Sequence, residues 1–117
     1  MGVKSATKID VTRIGVKLFK WVELGNGDTG EIISLPKHSD RSIQVLGTFG
    51  AGGTCTIQGT NMDASETWAT LNDPQGSALT VTTAKIETIL ENTYKIRPNI
   101  TAGDGTTLLD VYLLLTE

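Results

Sequence analysis

Residues 42–76, SIQVLGTFGAGGTCTIQGTNMDASETWATLNDPQG, decide how the chain is read. Ile43, Val45 and Phe49 recur at even spacing, as do Cys55 and Ile57, so alternate side chains fall on one face of a pleated strand and share a core. The stretch therefore predicts two short strands joined by a hairpin turn at Gly50-Ala51-Gly52-Gly53. A polar loop, a third strand carrying Trp68 and a stop at Asn72-Asp73-Pro74-Gln75-Gly76 follow. That succession is the signature of a β-sandwich.

Composition agrees with a single domain. A chain of 117 residues buries roughly two thirds of the surface it exposes when unfolded. Aromatic residues make up only 5% of it, so the core must be built mainly from Val, Ile and Leu, a stock suited to thin sheets. The net charge of −3 and a pI near 5.1 give the molecule no field that would gather nucleic acid or anionic lipid. The sole cysteine, Cys55, alternates with Ile57 and reads as a small buried thiol, with no disulfide possible within the chain. No apolar run has the length of a membrane span or the form of a signal peptide, which points to an unprocessed product made in the cytoplasm.

Working outward toward the N-terminus, residues 1–9 lack both a cap and a period and read as an extended arm that a neighbour must hold, with the sandwich domain spanning 10–117. In DVTRIGVKLFKWVEL (10–24), Ile14, Val16 and Leu18 share one parity and Phe19 and Trp21 the other, so a strand with a bulge near Lys17 is expected. Gly25-Asn26-Gly27-Asp28-Thr29-Gly30 is turn chemistry. Residues 31–35 form a short strand ended by Pro36. Toward the C-terminus, residues 78–82 form another strand. TAKIETILEN (83–92) places Ile86, Ile89 and Leu90 at helical spacing behind a threonine cap, leaving a short helix and a strand both open. Ile96, Pro98 and Ile100 alternate, and Pro98 marks an edge or a bulge because it cannot donate to a ladder. Ala102-Gly103-Asp104-Gly105 is a tight hairpin turn, and residues 107–116 are the last strand. Leu109, Val111, Leu113 and Leu115 face one way there, and Leu108, Tyr112 and Leu114 the other, interrupted by Asp110. A small sandwich strand with two apolar faces is expected to be covered by another chain.

Chemistry-bearing patterns are sparse. Asn26, Asp28 and Glu31 could cradle a Ca²⁺ ion but lack the spacing of a calcium loop, and His38, the only histidine, has no second ligand or serine elbow near it. The glycines of 47–53 join strand to strand and lack the Lys-Ser/Thr of a phosphate loop. Glu87 and Glu91 read as a solvated face. Asn99-Ile100-Thr101 is a glycosylation sequon by pattern alone. Trp68 reads as a core residue ahead of a sugar-stacking platform. Neither a catalytic constellation nor a metal or cofactor site is predicted.

Six segments in order, GDTGE (27–31), DRSIQ (40–44), GTFG (47–50), QGTN (58–61), WATLNDPQG (68–76) and GDGT (103–106), resemble small tailed-bacteriophage virion proteins of the capsid cement, or decoration, kind. The resemblance covers most of residues 8–115, although GTNMD (59–63) departs from the GSNDG-like loop of such proteins. It implies an all-β, small antiparallel sandwich, jelly-roll-like, which forms a homotrimer on the outer capsid surface of the virion and bridges major capsid protein subunits. On that reading Val3, Lys4, Lys8 and Ile9 contact the capsid, Leu108, Tyr112 and Leu114 form the trimer interface, and the partners include neither nucleic acid nor membrane. The competing expectations are a carbohydrate-binding or host-adhesion module that uses Trp68, Tyr94 or Trp21, and a tail or neck component of the virion.

Overall fold

Alternation of inward and outward side chains in the longer strands produces two sheets whose apolar faces meet. The computed structural model describes residues 2–117. Eleven strands are present among them: β1 (Val3–Lys4), β2 (Thr7–Ile9), β3 (Val16–Leu24), β4 (Thr29–Gly30), β5 (Asp40–Thr48), β6 (Thr54–Thr60), β7 (Ala69–Thr70), β8 (Thr80–Val81), β9 (Lys85–Ile89), β10 (Lys95–Ala102) and β11 (Leu108–Thr116). One sheet runs β1-β4-β10-β6-β7, with β8 also on β6, and the other runs β2-β3-β11-β5-β9. Every pairing is antiparallel except β1 with β4. The protein is an all-β sandwich, and no described residue is helical.

Leu109, Val111, Leu113 and Leu115 of β11 are fully buried, and Ile43 and Val45 of β5 lie beside them. Across the gap, Cys55 and Ile57 of β6 and Ile96 and Ile100 of β10 complete the core. Desolvation pushes the Cys55 thiol up to about 12, so it is an inert, small apolar side chain. The 83–92 stretch resolves as strand β9, with Ile89 in the core and Ile86 and Leu90 exposed. Pairing with β5 decides it, since β5 offers a free ladder that an isolated helical turn has no means to match.

The two glycine turns are not hairpins. Residues 49–53 carry the chain from β5 in one sheet to β6 in the other, and residues 103–107 do the same between β10 and β11. Local turn chemistry is common to both geometries, and which strand becomes the ladder partner is a tertiary matter. Only β2–β3 and β6–β7 are consecutive in sequence and hydrogen-bonded to each other, so most connections cross from one sheet to the other. The arch at 49–53 is tight: a Cβ on Gly53 would lie 1.8 Å from the carbonyl oxygen of Phe49.

The N-terminal segment corrects a second expectation. Residues 1–9 were expected to form an extended arm awaiting a neighbour, but Val3 and Lys4 pair with β4 while Thr7, Lys8 and Ile9 pair with β3. The segment straps one sheet edge to the other, and Ala6 N–H donates to Glu31 Oε1 at 2.8 Å where it crosses. Unpaired edges of β3 and β4 supply the hydrogen bonds that the segment's own sequence does not advertise.

In β3 the strand begins at Val16, after an exposed Ile14, and the bulge lies at its far end. Leu24 faces Leu109 and Trp21 faces Val111, three steps against two, and Glu23 takes φ 59°. Asp110 Oδ1 accepts the Glu23 N–H at 3.0 Å, which accounts for the carboxylate inside the leucine run of β11. Near Lys17 the register is unbroken: Lys17 and Phe19 take the inward parity opposite Leu115 and Leu113, and Val16 and Leu18 are apolar on the outward one.

Pro98 sits on a strand flanked by β4 and β6, not at the sheet margin. Its neighbours Ile96 and Ile100 donate to Ile33 O and Asp28 O, whereas Pro98 meets the short β4, where a Cβ on Gly30 would lie 2.6 Å from its ring. The ladder has a gap where the proline has no proton.

Candidate interaction surfaces

Register defines the outer face of the five-stranded sheet. One row across it runs Ile9, Leu18, Leu114, Ser42, Thr88, and the next runs Thr7, Lys20, Tyr112, Gln44, Ile86. Leu108 is 49% exposed, Leu114 39% and Ile86 63%, with Tyr112 and Leu18 half-buried between them. Leu108, Tyr112 and Leu114 thus share one face of the central strand, as their parity required. Ile9, Leu18 and Leu114 run side by side across β2, β3 and β11, while Tyr112 sits between Lys20 and Gln44, so the face mixes exposed apolar side chains with polar ones.

Val3, Lys4, Lys8 and Ile9 are not gathered. Val3 (71% exposed) and Lys4 lie at the margin of the six-stranded sheet, and Lys8 and Ile9 at the margin of the other. Lys4 Nζ lies 3.9 Å from Asp28 Oδ2. Ile9 alone joins the apolar face, through Leu18 to Leu114.

The outer face of the six-stranded sheet is polar and carries the pair that sequence reasoning missed. Trp68 is half-buried on this face and not part of the core, with the Arg97 guanidinium stacked 4.1 Å from its ring. Arg97 Nε–H donates to Gln58 Oε1 at 3.0 Å, with Gln58 and Arg97 facing each other across β6 and β10. The outward position of Arg97 was readable from the alternation of Ile96, Pro98 and Ile100. Its stacking partner, 29 positions earlier in a polar loop, was not. Trp21 is 1% exposed and donates Nε1–H to Glu31 O at 3.1 Å, so it is a core residue. Tyr94 is half open, with Lys95 Nζ 5.7 Å from its ring centre.

The candidate calcium ligands point to separate tasks. Asp28 Oδ2 accepts the Gly25 N–H at 2.8 Å, Glu31 Oε1 accepts from Ala6, and Asn26 Nδ2–H donates to Gly103 O. Among the described residues no three His, Cys, Asp or Glu side chains converge as a metal would require. Glu91 is likewise engaged. Burial works to raise its pKa, but the backbone and side-chain amides of Asn72, at 2.8 and 2.7 Å, outweigh that and hold it below the ordinary range.

At the end of the sandwich His38 is buried without a hydrogen-bond partner at either ring nitrogen among the described residues, and Glu117 Oε2 lies 3.9 Å from Nε2. Beside it Arg41 is buried and donates only to carbonyls, Nε to His38 O at 3.0 Å and Nη2 to Leu35 O at 3.2 Å. Desolvation lowers the Arg41 pKa.

No family model matches the chain, and no curated protein matches it. The solved structure of protein NMB1881 from Neisseria meningitidis is similar over 96% of this chain and 82% of that one, at 11% identity and a TM-score of 0.46, a likeness too slight to carry an argument.

Proposed function

We propose that this chain is a structural virion protein, a capsid decoration protein that binds the outside of a bacteriophage head as a homotrimer and stabilises contacts between major capsid protein subunits. The observation that carries the reading is the outer face of β11, where Leu108, Tyr112 and Leu114 share one exposed side, extended from Leu114 through Leu18 to Ile9, on a sheet whose other face is already the core. The ordered resemblance of residues 8–115 to the cement family supports the same assignment. A shell under internal pressure is weakest where its tiles meet. A folded body that binds across those joints favours the assembled state by mass action. Copies related by rotation close a ring with one patch each.

In this reading the strap, with exposed Val3 and Lys8, faces the shell. The test is imaging of particles assembled with and without the protein. Density for one sandwich per copy at exterior threefold junctions supports the assignment. Bare junctions in particles that contain the protein elsewhere, at a tail or neck, overturn it.

A further inference from the structure

We infer that the Arg97–Trp68 pair on the outer face of the six-stranded sheet is a preformed receptor for a carboxylate side chain of a partner protein. Arg97 is fixed on two sides, by the Trp68 ring at 4.1 Å and by Gln58 Oε1 at 3.0 Å from Nε. Its two terminal nitrogens have no partner among the described residues, so the edge of the fork that matches a carboxylate is left open. Glu66, the nearby acid that acts on Arg97, is held by Lys95 Nζ, which also donates to Asp63 O at 3.0 Å. A guanidinium that is already oriented loses little side-chain freedom when it binds.

The same geometry selects among ligands. One ring face is occupied by Arg97, which removes it as a stacking surface for a sugar. Tryptophan and arginine together at one spot are what protein interfaces concentrate at their energetic centres. The inference stands apart from the proposed function, since it requires an acidic protein partner and not a phage head.

The test uses the full chain, ¹⁵N-labelled, titrated with acetyl-glycyl-glutamyl-glycinamide and, separately, with its glutaminyl counterpart. The glutamyl peptide is expected to move the Arg97 Nε–H and Trp68 indole N–H resonances saturably. The indole N–H of Trp21, bonded to Glu31 O inside the fold, is expected to stay in place. Arg97→Lys keeps the charge and loses the fork, and its expected result is loss of the saturable shift with the Trp21 signal unchanged. Equal shifts from the glutaminyl peptide, no saturable movement, or undiminished shifts in Arg97→Lys overturn the inference. So does movement produced by inorganic phosphate or methyl β-glucoside and not by the glutamyl peptide. If Arg97→Lys does not fold, the two peptides on the unaltered chain decide alone.

Discussion

At the scale of single residues, two side chains have roles that composition hides. Arg41 is a buried cation whose partners are carbonyls and not carboxylates, so its contribution is packing and two hydrogen bonds, not an ion pair. Arg41→Met, which keeps the stem and removes the charge, is expected to unfold in urea within about 1 kcal/mol of the wild type. Arg41→Ala, which leaves a cavity, is expected to lose about 2–4 kcal/mol. Asp104 ties the two inter-sheet arches together: it accepts from Thr106 Oγ1 at 2.6 Å and Thr106 N at 2.9 Å, and Oδ2 accepts from Ala51 N at 3.0 Å across the gap. The Thr106 hydroxyl, followed by the Ala51 and Thr106 amides, pulls the Asp104 pKa down to about 2. A depressed carboxylate contributes stability that is present above its unfolded pKa of about 3.9 and is lost as pH falls through the folded value. The melting temperature of Asp104→Asn is therefore expected to lie below that of the wild type at pH 7, with the gap closing between about pH 4 and pH 2. A gap constant over that range would show that the carboxylate charge has no part in holding the arches. Asp104 was visible in the sequence only as a turn former, because its partner Ala51 belongs to a different connection.

At the scale of elements, the legible part was whatever period alone determines. The inward residues of β5, β6, β10 and β11 were readable because one-in-two burial is a local rule. Partner choice was not, and both glycine turns were read as hairpins because a short turn looks the same whether its strands pair with each other or diverge into two sheets. The bulge in β3 was misplaced for a related reason. Val16 and Leu18 point outward and are apolar because that face belongs to the patch, and a rule that expects one apolar face mistakes this for a change of side. The N-terminal strap was missed since strands of two and three residues at an edge have no period of their own. Deleting residues 1–9 removes both edge ladders and the Ala6–Glu31 hydrogen bond. The truncated chain is expected to lose roughly 2–4 kcal/mol by urea unfolding, at about 1 kcal/mol net per hydrogen bond removed. Unchanged stability would mean that the strap is held elsewhere. Point changes at Val3 and Lys8 are therefore the cleaner probe of shell contact, since both side chains are exposed and neither makes a ladder bond with its side chain.

At the scale of the whole molecule, the sandwich measures 39 × 31 × 29 Å and presents two unlike outer faces. One carries the exposed apolar side chains of β11 among polar neighbours, and the other is polar and centred on the Arg97–Trp68 pair. That division suits a body that meets a copy of itself with one face and a different protein with the other. The two faces were unevenly legible in the sequence, since Leu108, Tyr112 and Leu114 could be read by parity, whereas Trp68 and Arg97 meet only in space. The central claim is that the β11 face closes against copies of the same chain, and molar mass in solution tests it most directly. Light scattering of the purified chain is expected to give three times the 12.5 kDa of one chain, and Leu114→Glu to give a folded single chain. A wild-type protein that stays at 12.5 kDa at every concentration measured, or a Leu114→Glu variant that remains trimeric, would contradict it.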